Sequence, residues 1–338
     1  MADTDTEVVS TRAAYLTELG PADRIRFGEL PVPGPGPTDV VVRTEVLAVN
    51  QVDTLVRSGA YRTPTPFPFV IGRDLVGTVV ATGAGAAGFR VGEPVWCNSM
   101  GHGGRQGSFA EQVVVPADRL YRLPAGIDPL DAVTVLHTAG TAWLGLFRVA
   151  RVRPGDTVVV GGGAGGVGSA AVQLARAAGA RVIATAQSAD SVWCRESGAQ
   201  VVLDYRDPDL AEQLRAAAPD GISVYWDISG HQDLPAVAPL LRIGATVLIT
   251  AAAASPAPLP AREFYTGDVS VRGFAISNAS VAALAEAAHA INAGLCAGVL
   301  RGRAGTRLPL SRAAEAHRLQ EHGQTGGGRI IVVPGGAG

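Results

Sequence analysis

One stretch constrains this chain more than any other: Thr157-Val-Val-Val-Gly-Gly-Gly-Ala-Gly-Gly-Val-Gly168, running on into an Ala/Leu/Val segment that ends at Gly179. Its opening β-formers predict a short buried strand. Val167, Ala171, Leu174, Ala175 and Ala178 then recur at helical spacing, and Gly179 stands where a helix stop is expected. Gly163, Gly165 and Gly168 fill a GxGxxG frame. The first glycine permits a tight turn, the second lets backbone approach a pyrophosphate, and the third lets helix pack on strand. Gly166 and Val167, at the helix start, offer free N–H groups and the positive end of a dipole to phosphates. With 43 glycines in the chain a chance match is cheap, so context decides. Here a strand precedes, a helix follows, and Arg181-Val-Ile-Ala-Thr185 closes a βαβ unit. The reading is a dinucleotide site; the bland alternative is a structural Gly-rich turn.

The pattern around this unit alternates. Strands are expected at 199–204, 224–228, 245–250 and 269–274, with helices at 189–197, 208–218 and near 232–241 between them. Strands alternating with helices of about ten residues give an α/β fold with a parallel, doubly wound sheet. Residues 8–130 read differently. Strand-like runs at 40–49, 77–82 and 110–115 are punctuated by Pro and Gly clusters, including Pro31 to Pro37, which suggests a compact, partly closed β-fold. A helix is expected over 131–150. The tail carries helices at 280–293 and 311–322 and a last strand at 329–333, and most simply returns to complete the first domain. The expected division is therefore 1–132 with 274–338, and 133–273.

Composition closes several routes. Net charge is 28 − 30 = −2, which favours neither nucleic acid nor an anionic membrane surface. All 28 basic residues are Arg, so no Lys serves as base, Schiff-base former or phosphate ligand. Cys97, Cys194 and Cys296 lie far apart, against a disulfide framework and in keeping with a reducing compartment. The N-terminal Met1-Ala-Asp-Thr-Asp-Thr-Glu7 has no apolar run, and no run reaches the ~20 residues of a membrane span. The chain reads as soluble and cytoplasmic.

Several stretches together resemble the zinc-independent quinone oxidoreductases of the medium-chain dehydrogenase/reductase superfamily, the zeta-crystallin-like group. They are Ala48-Val-Asn-Gln-Val-Asp53 with Arg57-Ser-Gly-Ala-Tyr61; Ile71-Gly-Arg-Asp-Leu-Val-Gly77; Gly107-Ser-Phe-Ala-Glu111; Thr141-Ala142; and Gly162 to Gly168 with Ala171-Val-Gln-Leu-Ala175. Gly179 to Thr185, Asp204-Tyr-Arg206 and Ala313-Ala-Glu-Ala-His317 continue the likeness over nearly the whole chain. The resemblance implies a GroES-like β-barrel domain built from both chain ends around a central Rossmann domain. It also implies a homodimer paired through Rossmann sheet edges. Two departures stand out: Arg73 at a usually small or neutral position, and a longer Gly-rich loop at 98–106.

In the sister branch a Cys, a His-Glu pair and a later Cys hold catalytic zinc. The first falls here on Asn50 and the pair on Arg73-Asp74, a donor set that zinc does not favour. No metal is expected. For the cofactor, an NAD-preferring site carries an acid about twenty residues past the glycines. That position falls in Thr185-Ala-Gln187-Ser188, which has none, leaving room for a 2′-phosphate that Tyr205 and Arg206 can bind; NADPH is favoured. Asp190 opposes the phosphate, Arg195 and Arg329 are alternative cations, and a solvated strand-end charge is the bland reading of Arg206. Thr250 and Phe274, near later strand ends, join the expected cofactor contacts.

Without metal, what remains is hydride delivery to an electron-poor carbon, as in a quinone or enone. By the resemblance Asn50 faces the nicotinamide, Asp53 and Tyr61 lie near the pocket, and Thr138 and Thr141 touch the nicotinamide ribose. Tyr61 is a candidate proton donor, with a packed aromatic as its alternative. Asp53 fits a structural acceptor better than a base. His102, on the 98–106 loop, is a second candidate donor, set against a solvated loop histidine. His137 reads as a satisfied buried histidine, and Arg73 as paired internally with Asp53 or Asp74. Two further functions stay open: a biosynthetic trans-acting enoyl or ketone reductase, and a cofactor-binding protein without turnover.

Overall fold

The computed structural model describes residues 10–32, 34–231, 233–251 and 257–335. The acidic stretch at 1–7 lies outside them, as do one position of the 31–37 proline cluster and one of the 232–241 helix. The chain forms two compact units. The first takes the described residues up to His137, Leu284–Ala288, and those from Arg301 on; the second takes Thr138–Ala283 and His289–Leu300. The first crossing thus falls inside the helix Leu136–Trp143 rather than before it, and 274–283 and 289–300 stay with the second unit.

The second unit is built on six parallel strands: Thr157–Gly161, Arg181–Ala186, Val201–Asp204, Ile222–Asp227, Leu241–Ile249 and Ser270–Gly273. Numbered along the chain, they lie side by side in the order 3-2-1-4-5-6. The order reverses at the first strand, and sheets of this kind take ligands beyond the carboxyl ends of the strands at such a reversal. Val158, Val159 and Val160 are fully buried, as a central strand covered on both faces requires. Gly162 takes φ +72° to leave that strand, and the helix Gly166–Ala177 begins at Gly165. Gly179, at φ +81°, ends it as expected.

The first unit holds a sheet of seven strands, mostly antiparallel, and a three-stranded sheet, bridged at Ala13 and Ala110. At the centre of the larger sheet is Asp39–Ala48. On one side it pairs antiparallel with Asp74–Thr82, Ala48 opposite Asp74; on another it pairs with the tail strand Arg329–Val333, Ile331 opposite Ala48. That register sets Arg329 and Asp74 on either side of the segment leaving the central strand. Leu16, Val40, Val42, Leu47, Leu75, Val95 and Ile330 fill the core, all fully buried.

Three local expectations needed correcting. Residues 51–58 form a helix, Gln51–Ser58, inside the stretch read as β-rich. The single helix expected over 131–150 is divided into Pro129–Val133, Leu136–Trp143 and a wider π-type turn, Leu144–Val149. Gly145 in that turn lies so close to Trp226 that a Cβ would stand 2.5 Å from the indole. The 189–197 helix opens as a tight turn, Ser188–Asp190, before Ser191–Glu196.

Candidate functional site

The first unit gathers a buried polar cluster where the central strand ends. Asn50 precedes the helix Gln51–Ser58, and Asp53 is its third residue. The Asn50 N–H donates to Asp53 Oδ2 at 2.7 Å, while the Asp53 N–H donates to the Asn50 carbonyl at 3.0 Å. This exchange closes the helix start and gives Asp53 a structural task. The Asn50 carboxamide is gripped at both ends: Nδ2 donates to Asp74 Oδ2 at 3.0 Å, and Oδ1 accepts from Arg329 Nη2 at 2.6 Å. Arg329 Nη2 also stands 3.8 Å from Asp74 Oδ2. Arg73 is buried, with Nε 4.0 Å from Asp53 Oδ1 and Nη1 donating to the Met100 carbonyl at 3.4 Å.

Two carboxylates and two guanidiniums therefore share a nearly dry site, and burial dominates their titration. It pushes the Asp74 carboxyl up to about 8, against the pull of Arg329 and the Asn50 hydrogen bond. It lifts Asp53 to about 6, opposed chiefly by Arg73. Arg329 is lowered by the same burial, and the two acids draw it back. His137 is buried with Nδ1 2.9 Å from the Asn98 carbonyl, and burial pushes its ring down to about 3. It is a satisfied core histidine, as its surroundings in sequence suggested.

The donor set at Asn50, Arg73 and Asp74 is a carboxamide, a guanidinium and a carboxylate already engaged. It does not fit zinc, which takes thiolate, imidazole or free carboxylate. Among the described residues, no three His, Cys, Asp or Glu side chains are grouped so as to hold a metal.

In the second unit the glycine turn fits a dinucleotide diphosphate. A Cβ on Gly168 would stand 2.1 Å from the Gly162 carbonyl oxygen, and one on Gly163 would stand 2.7 Å from Ala184 Cβ. Only glycine allows the helix this close to the turn and strand. Gly165 has ordinary backbone angles, φ −70° and ψ 169°, and a Cβ on it would stand 3.3 Å from the Gly162 carbonyl oxygen. The first helical amides after it have no acceptor within the helix. Beyond the next strand, Gln187 and Ser188 are exposed; Ser188 Oγ and N–H both donate to Asp204 Oδ2, at 2.5 and 3.2 Å. Tyr205 is exposed, and the Arg206 guanidinium lies 5.3 Å from its ring centroid.

Comparison with known proteins now identifies the lineage. Residues 36–125 match the alcohol dehydrogenase GroES-like domain, and residues 166–292 match the domain described as zinc-binding dehydrogenase. The quinone oxidoreductase of Mus musculus is 28% identical over 95% of this chain and 97% of its own length. A mycobacterial structure complexed with NADPH aligns with a TM-score of 0.84 and 29% identity, over 96% of this chain and 100% of that one. An NAD-dependent alcohol dehydrogenase aligns with a TM-score of 0.86 and 30% identity, over the same shares. The chain belongs to the quinone oxidoreductase family of medium-chain dehydrogenases/reductases. Its first unit is the GroES-like domain and its second the Rossmann domain; it is an oxidoreductase that uses a nicotinamide cofactor.

Within this family member the remaining candidates are spread out. Thr138 and Thr141 are buried on the helix Leu136–Trp143, on the Rossmann side of the division. Thr250 Oγ1 accepts from the Trp226 indole at 2.9 Å, and Phe274 packs 5.8 Å from the same ring system. Tyr61 packs half-buried against the GroES-like core, apart from the Asn50 cluster's hydrogen bonds. His102 is half-buried with Nδ1 3.0 Å from the Ser99 carbonyl, on a loop whose Gly101, Gly103 and Gly104 all take positive φ. Arg329 was expected among the cofactor contacts; in the structure it sits in the GroES-like unit on Asn50. Two residues escaped the sequence reading as site members. Asp74 was read as a counterpart of the sister branch's metal pair and a partner for Arg73, and Asp204 only as part of a family string. Both are placed by strand register, which a single sequence does not display.

Proposed function

We propose that this protein is an NADPH-dependent, metal-independent reductase of quinones or activated alkenes such as enones. The observation that carries the reading is the Asn50 cluster, where a clamped carboxamide, a guanidinium and an engaged carboxylate, Asn50, Arg73 and Asp74, occupy the positions that correspond to zinc ligands in the sister branch. A site without a Lewis acid does not polarise an alcohol for oxidation, and suits an acceptor that is already electron-poor. When bound, the reduced nicotinamide supplies the hydride. Gly163, Gly165 and Gly168, with the amides of Gly166 and Val167, would hold the diphosphate. Ser188, Tyr205 and Arg206 would meet the adenosine end, and Thr138 and Thr141 the nicotinamide ribose. Asn50, its carboxamide fixed by Asp74 and Arg329, would orient the nicotinamide. Tyr61 or His102 would give the proton to the acceptor oxygen. The NADPH complex of the mycobacterial relative supports the cofactor assignment, and the mouse enzyme's name the acceptor class.

The test is NADPH oxidation by the purified protein over a panel of quinones, enones and enoyl thioesters, with and without a chelator. Turnover on quinones or enones that survives chelation is the expected result. Tight binding without turnover on any acceptor, or loss of activity to the chelator, would reject the reading. A second copy of the chain is the proposed partner, paired along the sheet-edge strand Ser270–Gly273, where Val271 is 40% exposed. Light scattering of the wild type and of Val271→Arg checks it; a wild-type monomer refutes it.

A further inference from the structure

The strand order places the adenosine end of a dinucleotide at the carboxyl ends of Arg181–Ala186 and Val201–Asp204. Sequence spacing leaves the first of these ends without an acid. The structure supplies one from the neighbouring strand. Ala186 lies opposite Asp204, and Asp204 closes its strand with a carboxylate turned onto the loop after Ala186. Its Oδ2 accepts from the Ser188 hydroxyl at 2.5 Å and the Ser188 N–H at 3.2 Å; its Oδ1 accepts from the Arg206 N–H at 2.9 Å. These bonds hold the Asp204 carboxyl below the usual carboxylate range, the Ser188 hydroxyl contributing most. The Arg206 charge also pulls on Asp204, and its guanidinium rests by the exposed Tyr205 ring; Asp190 adds a second acid at the end of the Ser188–Asp190 turn.

We propose that Asp204 determines cofactor selectivity, accepting from the ribose hydroxyls of NADH and opposing the 2′-phosphate of NADPH that Arg206 attracts. The inference rests on the dinucleotide reading of the glycine turn and sharpens it. Arg206 draws a 2′-phosphate and Asp204 limits that attraction, so wild type keeps a preference for NADPH that is smaller than the preference without the carboxylate. A carboxylate and a phosphate dianion meeting at an exposed surface repel by an amount worth on the order of tenfold in affinity.

The experiment is equilibrium titration of Asp204→Asn with NADPH, NADH and 2′,5′-ADP, read by protein and cofactor fluorescence at low and high salt. The expected result is NADPH and 2′,5′-ADP binding about tenfold tighter than to wild type, with NADH unchanged or weaker, and a gain that shrinks with salt. Asp204→Glu keeps the charge while disturbing the Ser188 hydrogen bonds, and its NADPH/NADH ratio should stay closer to wild type than that of Asp204→Asn. That variant guards against a ratio moved by loop disorder alone. An Asp204→Asn ratio within about twofold of wild type, or equal changes for both cofactors, overturns the proposal. Gly165→Val separates this failure from failure of the site. Its backbone angles are ordinary and its Cβ would stand 3.3 Å from the Gly162 carbonyl oxygen, so the turn needs only a small shift, which an unchanged Tm verifies, while the branched side chain would block a diphosphate. Loss of both cofactors in Gly165→Val keeps the site whatever Asp204 does; unaltered binding removes the site, and the proposal with it.

Discussion

Replacing Arg329 by Met tests the buried cluster quantitatively. The substitution removes the donor to Asn50 Oδ1 and the cation 3.8 Å from Asp74, whose side chain is fully buried. A hydrogen bond to a charged group contributes about 1.5–3 kcal/mol, and stranding a buried charge costs about 3–5 kcal/mol. Asp74 escapes the larger figure by taking up a proton, because its folded-state value already lies near 8. The expected loss at pH 7 is therefore about 3 kcal/mol. The pH dependence identifies the cause. A carboxyl raised from 3.8 to about 8 lends the fold stability that is full below about pH 4 and is lost as pH rises through about 8. Without Arg329 that upper limit moves higher still. Above pH 8 the gap between wild type and variant should then widen by about 1.4 kcal/mol per pH unit. Urea unfolding of wild type, Arg329→Met, Asp74→Asn and the double variant at pH 7 and 9 reads all of this. In the double variant the widening should vanish, since nothing remains to titrate. A gap that does not change with pH, or single losses that add to within about 0.5 kcal/mol, would refute the reasoning.

Other outcomes follow from single sites. His317 is fully buried, and burial, with the Arg57 charge, pushes its ring down to about 3; it contributes stability above pH 6.5 that is lost as pH falls. Between pH 6.5 and 4.5 this should remove up to about 3 kcal/mol, and His317→Leu should flatten the acid limb of a Tm-against-pH plot. Tyr61→Phe and His102→Ala in steady-state assays should lower kcat about tenfold or more for whichever is the proton donor and leave the other near wild type; unchanged turnover in both removes both. Gly168→Val should abolish cofactor binding and lower Tm, because a Cβ there would meet the Gly162 carbonyl at 2.1 Å. Thiol titration of the native protein should show one fast cysteine, the exposed Cys296, with the buried Cys97 and Cys194 reacting only on unfolding.

What a single sequence reveals here depends on how local the cause is. The strand at 157–161 and the helix after it were readable because a β-branched run, a glycine frame and a stop at Gly179 all lie within one stretch. The tail strand Arg329–Val333 was readable for the same reason. The helix Gln51–Ser58 left a signal that went unused: Asn50 and Asp53 at capping-box spacing and Gly59, which takes φ +84° at its end. The break at Leu144–Val149 left almost none, and the ring its Gly145 packs against, Trp226, lies far along the chain. The site divides the same way. The glycine turn is contiguous, so the close packing at Gly163 and Gly168 is legible from spacing alone. Asn50, Asp74 and Arg329 meet only through antiparallel register, and Asp204 reaches Ser188 only through a parallel neighbour, so no spacing rule exposes either group.

The clamp on Asn50 also has a temporal side. One jaw comes from a strand laid down early and the other from Arg329, which leaves the ribosome only after the entire Rossmann unit has been made. A growing polypeptide can thus possess a finished Rossmann unit while the Asn50 carboxamide is held by Asp74 alone. The clamp is completed late, as the final strand pairs, and a chain clipped before that strand would keep its Rossmann unit yet lose one of the two holds on the carboxamide.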